Sequence, residues 1–85
     1  MKTKLTPQDI NDVIVDEEYY RFPGTTVTLC CLTLENGYNV IGKSATLSME
    51  NFNETIGQDI ARTDAVRQIW ELEGYLLKQH LSEVV

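Results

Sequence analysis

Residues 37–44, GYNVIGKS, carry a residue of the required type at every fixed position of G-x-x-x-x-G-K-[ST], the pattern whose backbone N–H groups and lysine cradle nucleotide phosphates. Other residues suit anion chemistry as well. Arg62 and Arg67 present planar forks for phosphate oxygens, Lys43 adds a point charge, and Tyr38, Phe52 and Trp70 offer ring faces to a base. With Asn53, next to Phe52, these seven make the candidate ligand-binding set. Five residues of helix turn the chain through about 140°, so Arg62 and Arg67 of one chain diverge and two subunits are needed to converge them. Each arginine alone also fits a plain surface role, paired with Asp59 or Glu71.

Catalytic chemistry finds less material. Ser44, Ser48, Cys30 and Cys31 have no poised base near them in sequence, and the single histidine, His80, stands between Gln79 and Leu81 near the end of a helical stretch, where it suits the helix dipole. Asp59 with Asp64, and Glu71 with Glu73, are not spaced to share a helical face. One histidine and two adjacent cysteines supply no metal-ligand spacing, and neighbouring strand cysteines point to opposite faces and cannot bridge. The expectation is a protein without enzymatic activity, catalytic residues, cofactor or metal.

The P-loop fails on its setting. That loop needs a strand before it and a helix starting at its Lys-Ser, whereas Asn36-Gly37 is a hairpin-turn signal and Tyr38 to Ile41 are strand formers. With Asn36 and Gly37 as a two-residue turn, Glu35 pairs with Tyr38, Thr33 with Val40, Cys31 with Gly42 and Leu29 with Ser44. Leu32 then faces Ile41, Leu34 faces Asn39 and Cys30 faces Lys43, leaving both sheet faces partly apolar. Gly42, opposite Cys31, marks a place of close approach.

Around this hairpin, Thr6-Pro7-Gln8-Asp9 reads as a helix start, and Ile10, Val13 and Ile14 extend the helix over residues 7–15. Asp9, Asp12, Asp16, Glu17 and Glu18 read as its solvated face, with docking to a basic partner as the alternative. Pro23-Gly24 turns the chain. Ser48 reads as the N-cap of a long helix with Glu50 and Glu54 in its first turns; Gly57, Ala61 and Ala65 form a small-residue ridge for close packing or close ligand approach, and Gly74 is the expected bend. The fold class is α+β: a short N-terminal helix, an antiparallel β-hairpin and a long C-terminal helical segment bent near Gly74. Residues 1–85 form a single domain, divided as 1–20, 25–47 and 48–82.

Eighty-five residues make a marginal core, and oligomerisation is the favoured stabiliser. Thirteen acidic against seven basic residues give a net charge of −6, which disfavours duplex nucleic acid and membrane partners. The sequence shows no signal peptide or transmembrane span, and the free thiols point to a cytoplasmic setting.

From Thr25 to Leu81 the chain resembles the small phage proteins of the Gp forty-nine/sixty-six family. The motifs are G-x-S-A (Gly42, Ser44, Ala45), N-F-(N/D)-x-x-x-G (Asn51, Phe52, Asn53, Gly57), I-A (Ile60, Ala61), A-x-x-x-(I/L)-W (Ala65, Ile69, Trp70) and L-E-G-Y-L (Leu72 to Leu76). Asn36, Gly37 and Ile56 also carry the likeness, and the N-terminal twenty residues are expected to lie outside it. More distantly the chain resembles the Thoeris anti-defence sponge proteins. That resemblance implies a phage protein in the host bacterial cytoplasm, a dimer or a higher oligomer up to a hexamer, which sequesters cyclic nucleotide immune signals between subunits. The alternative is a small oligomeric module that inhibits a host protein through its acidic N-terminal segment.

Overall fold

The computed structural model describes residues 3–84. They form α1 (Pro7–Asp12), β1 (Ile14–Arg21), β2 (Thr28–Leu34), β3 (Asn39–Ser44), a 3₁₀ turn (Met49–Asn51) and α2 (Glu54–Glu83). The architecture is α+β, with one antiparallel sheet in the order β1-β2-β3 and α2 packed across one of its faces.

The start of α1 follows the sequence signal. Thr6 Oγ1 accepts from the Asp9 amide at 3.2 Å, Asp9 Oδ2 accepts from the Thr6 amide at 2.8 Å, and Pro7 opens the helix, a reciprocal cap that satisfies two otherwise orphaned donors. Its end does not. The helix stops at Asp12 with Val13 as C-cap, three residues before the expected limit. Val13-Ile14-Val15 is a β-branched run that favours an extended backbone, and Ile14 pairs with Leu34 of β2. Asp16, Glu17 and Glu18 are therefore strand residues rather than one side of a helix. The β-hairpin read from the sequence is thus two strands of a three-stranded sheet.

The hairpin register also differs by one. The observed pairs are Thr28 with Ser44, Leu29 with Lys43, Cys30 with Gly42, Cys31 with Ile41, Leu32 with Val40 and Thr33 with Asn39. The Leu34 amide donates to the Tyr38 carbonyl at 2.8 Å and the Gly37 amide to the Leu34 carbonyl at 2.8 Å. That leaves a three-residue loop, Glu35-Asn36-Gly37, in which Gly37 takes a φ of 89° and no non-glycine residue is left-handed. A two-residue turn would force Asn36 into positive φ; the longer loop gives that burden to glycine alone.

Shifting one strand by one residue exchanges its faces, and the observed register sorts the sheet cleanly. Thr28, Cys30, Leu32, Leu34, Val40, Gly42 and Ser44 are buried beneath α2; Asn39, Ile41 and Lys43 are exposed on the other face, with Leu29, Cys31 and Thr33 half-buried. The core joins Ile10, Cys30, Leu32, Leu34 and Val40 to Ala61, Ala65 and Ile69. Full burial of Leu32 and Ile69 contributes about 2 kcal/mol each.

Asn53 caps α2, its Oδ1 accepting from the Ile56 amide at 3.0 Å, while Ser48 caps the preceding 3₁₀ turn. The helix entrance read at Ser48 is thus divided between two caps. From Glu54 the helix runs unbroken through Gly74 to Glu83. Its ridge Gly57, Ala61, Ala65 and Ile69 is the buried stripe. At the tightest crossing, a Cβ on Gly42 would overlap the Ala61 carbonyl oxygen and the Ala65 amide nitrogen. What approaches Gly42 is the chain's own helix backbone. At Gly57 the same space is limited by Thr28 Oγ1, 3.3 Å from where a Cβ would stand.

Candidate functional site

The backbone of GYNVIGKS does not form a phosphate cradle. Gly37 completes the hairpin loop, residues 39–44 are strand, Gly42 is pressed against α2, and the Ser44 hydroxyl is buried and donates to the Gly57 carbonyl at 2.7 Å. Lys43 stands apart from these: it is exposed, at a strand position on the face away from α2, and it borders the neighbouring α2 residues only around the sheet edge.

Strand geometry decides where its surroundings lie. Because the Leu34 amide bonds toward β3, alternate residues of β3 turn their backbone groups inward to β2, and Asn39, Ile41 and Lys43 turn theirs to the sheet edge. Side chains from α2 reach down to this edge. Gln68 Nε2 donates to the Ile41 carbonyl at 2.6 Å, and Asp64 Oδ2 accepts from the Lys43 amide at 3.0 Å. Asp64 in turn meets Arg67 at 3.2 Å, and Arg67 meets Glu71 at 2.8 Å. The Lys43 amide, and after it Arg67, hold the Asp64 carboxyl below the usual carboxylate range; Asp64 in turn raises the Arg67 guanidinium.

Two open depressions follow this flank. One, of about 740 Å³, is lined by Lys43, Asp59, Ile60, Thr63, Asp64 and Arg67. The other, of about 320 Å³, is lined by Tyr38, Val40, Gln68, Glu71 and Tyr75 among others. The Arg67–Glu71 pair joins them. Three of the seven sequence candidates, Lys43, Arg67 and Tyr38, thus share one flank, in the size range of small-molecule sites. Tyr75, 74% exposed, adds a second ring that only its place in the L-E-G-Y-L motif had marked.

The other four stand elsewhere. Arg62 turns to the opposite side of α2, where its Nε meets Glu17 Oε2 of β1 at 3.3 Å and its Nη2 donates to Asn11 Oδ1 at 3.4 Å. Asn53 is engaged in capping, and Trp70, three residues beyond Arg67 on α2, lines neither depression. Phe52 lies under the Arg21 guanidinium, 4.8 Å from ring centroid to Cζ. Nothing in the sequence singles out Arg21, which stands just before Phe22 and the Pro23-Gly24 turn. Arg21 Nη1 also donates to the Thr25 carbonyl at 3.2 Å. Among the described residues it is the arginine without a carboxylate partner.

One other depression lacks the charge for a phosphate. A 580 Å³ depression between α1 and the far end of α2 is walled by Asp9, Asp12, Glu35 and Glu73, with His80. Beside Arg62, Tyr19 Oη donates to Glu17 at 2.6 Å. Burial and then that bond push the Tyr19 phenol well above its ordinary range, and burial raises the Cys30 thiol, so both stay neutral. Among the described residues no three His, Cys, Asp or Glu side chains gather to hold a metal ion, and no helix is long and apolar enough to cross a membrane.

Comparison with known proteins places this geometry in a lineage. No curated protein and no solved structure matches the chain. A family match spans residues 5–81, and so takes in α1 and β1, which the motifs alone had left outside. The chain belongs to the family described as Phage protein (N4 Gp49/phage Sf6 gene 66).

Proposed function

We propose that this phage-family protein is a non-enzymatic binder that sequesters a cyclic nucleotide signal along the flank formed by β3 and α2. The observation that carries the reading is the placement of Lys43, Arg67 and Tyr38 on one continuous flank with Tyr75. The two cations suit phosphate oxygens and the two phenol rings suit base faces. The flank is a trough rather than an enclosed cavity, so its missing walls would come from a further copy packed over it by a contact other than strand pairing, as the resemblance to sponge proteins implies. Arg67 is held by Asp64 and Glu71, and a phosphate would displace the more exposed of the two, Glu71.

That exchange gives the test a sign. Thermal unfolding with a panel of cyclic di- and trinucleotides and cyclic ADP-ribose isomers is expected to rise with at least one of them. Lys43→Ala and Arg67→Ala remove the rise, Glu71→Ala enlarges it, and Lys78→Ala leaves it alone. No rise across the panel overturns the reading.

The alternative, inhibition of a host protein through the acidic N-terminal segment, meets a structural constraint. Residues 14–21 are a strand of the sheet, so removing residues 1–18 would damage the fold as well as any docking surface.

A further inference from the structure

The two edges of the sheet are treated differently. On β3 the outward groups of Ile41 and Lys43 are occupied by Gln68 and Asp64. On β1, Asp16, Glu18 and Tyr20 lie opposite Thr33, Cys31 and Leu29, the β2 residues whose backbone faces β1. Glu17, Tyr19 and Arg21 must therefore turn their N–H and C=O groups outward. Among the described residues nothing bonds to them. An exposed edge of this kind is a template for another strand, and proteins ordinarily blunt it by covering it, shortening it or placing charge on it. Here the strand is eight residues long and uncovered, and the charge on it is patterned.

We infer that β1 is the interface for a second copy of this chain, the two β1 strands pairing antiparallel about a two-fold axis at Tyr19. Charge complementarity selects that register. With Tyr19 opposite its own mate, Glu17 faces Arg21 of the other copy twice over, Glu18 faces Tyr20, and Asp16 faces Phe22. Slipping by one residue pair toward the N-terminus puts Glu18 opposite Glu18; a further slip puts Glu17 opposite Glu17 and Asp16 opposite Glu18. Like charges directly opposite are destabilising in a sheet and opposite charges stabilising. A slip toward the C-terminus brings no acids together but loses both Glu17–Arg21 pairs, so of these registers only the one at Tyr19 sets opposite charges face to face. Arg21, which has no carboxylate partner among the described residues, gains one there.

Three outward-facing pairs, 17 with 21, 19 with 19 and 21 with 17, exchange six backbone hydrogen bonds. The product is a closed, six-stranded antiparallel sheet with both α2 helices on one face. It is isologous, as two-fold interfaces are. It lies at the sheet edge away from Lys43, so it stands or falls independently of the ligand proposal.

Sedimentation of the full chain tests it. Wild type is expected at twice 9.7 kDa at micromolar concentration, with the amides of Glu17, Tyr19 and Arg21 protected from hydrogen exchange and losing that protection on dilution. Arg21→Glu alone, and Glu17→Lys alone, each create two like-charge pairs per dimer and are expected to weaken self-association roughly tenfold or more. Mixing these two variants restores complementary pairs and should regenerate a dimer that neither forms alone. The exchange measurement on wild type needs no variant to fold. A monomeric wild type at about 100 µM, a dimer whose three outward amides exchange freely, or a mixture that stays monomeric while each variant is folded would overturn the inference.

Discussion

Thr28 is the buried side chain whose hydroxyl finds no partner among the described residues. It is 1% exposed, lies across from Ser44 in the sheet and sits against the first turns of α2 near Gly57. An orphaned buried hydroxyl costs more than a methyl of the same shape. Thr28→Val is therefore expected to stabilise the chain by about 1 kcal/mol, read as a higher urea midpoint at unchanged slope. A lower midpoint would mean that the hydroxyl has a partner, such as a bound water. Gly42 is the opposite case. Gly42→Ala must push apart β3 and the Ala61–Ala65 backbone, and a loss of about 3 kcal/mol is expected in the same measurement. The sequence marks Gly42 as a point of close approach, yet what approaches it becomes visible only when the helix is docked. Nothing in the sequence marks Thr28.

The elements show why some of the fold could be read in advance. Local chemistry announces the cap at Thr6 and Pro7, the turn at Asn36-Gly37 and the small ridge of α2, since each is decided by residues within a few positions of one another. β1 is decided elsewhere. Ile10, Val13 and Ile14 have helical spacing, but Ile14 gains more by lying against β2, and tertiary pairing overrides the local period. The hairpin register failed for a narrower reason: Asn-Gly fits two loop lengths, and the face that α2 must cover chooses between them. The candidate cations suffered likewise, because helical spacing separates Arg62 from Arg67 but does not say which of them meets β3. Asp64, which ties α2 to β3, makes this docking sensitive to pH. Its folded pKa is depressed, so its contribution is present above the unfolded value of about 3.9 and is lost as pH falls through that value toward the folded one. Asp64→Asn is expected to be less stable than wild type at pH 7, with the gap closing below about pH 4. A gap independent of pH would remove the carboxylate from the account.

As a whole the molecule is long, 54 × 22 × 17 Å with a radius of gyration of 15.6 Å, against about 12 Å for a compact chain of this length. The excess is α2. Its 30 residues span about 45 Å, while its buried positions end at Ile69; beyond them Leu72, Tyr75 and Leu76 are 41%, 74% and 62% exposed. The clasp of Gln68 and Asp64 on β3 has a consequence for such a chain. By strand pairing alone, a particle with one bare edge can only close on itself in a pair, whereas one with two can add neighbours at both ends without limit. Releasing the clasp with Asp64→Ala and Gln68→Ala together is expected to yield species whose sedimentation keeps rising with concentration instead of reaching a plateau. On that outcome those two side chains are terminators of growth, setting the difference between a finite particle and a filament.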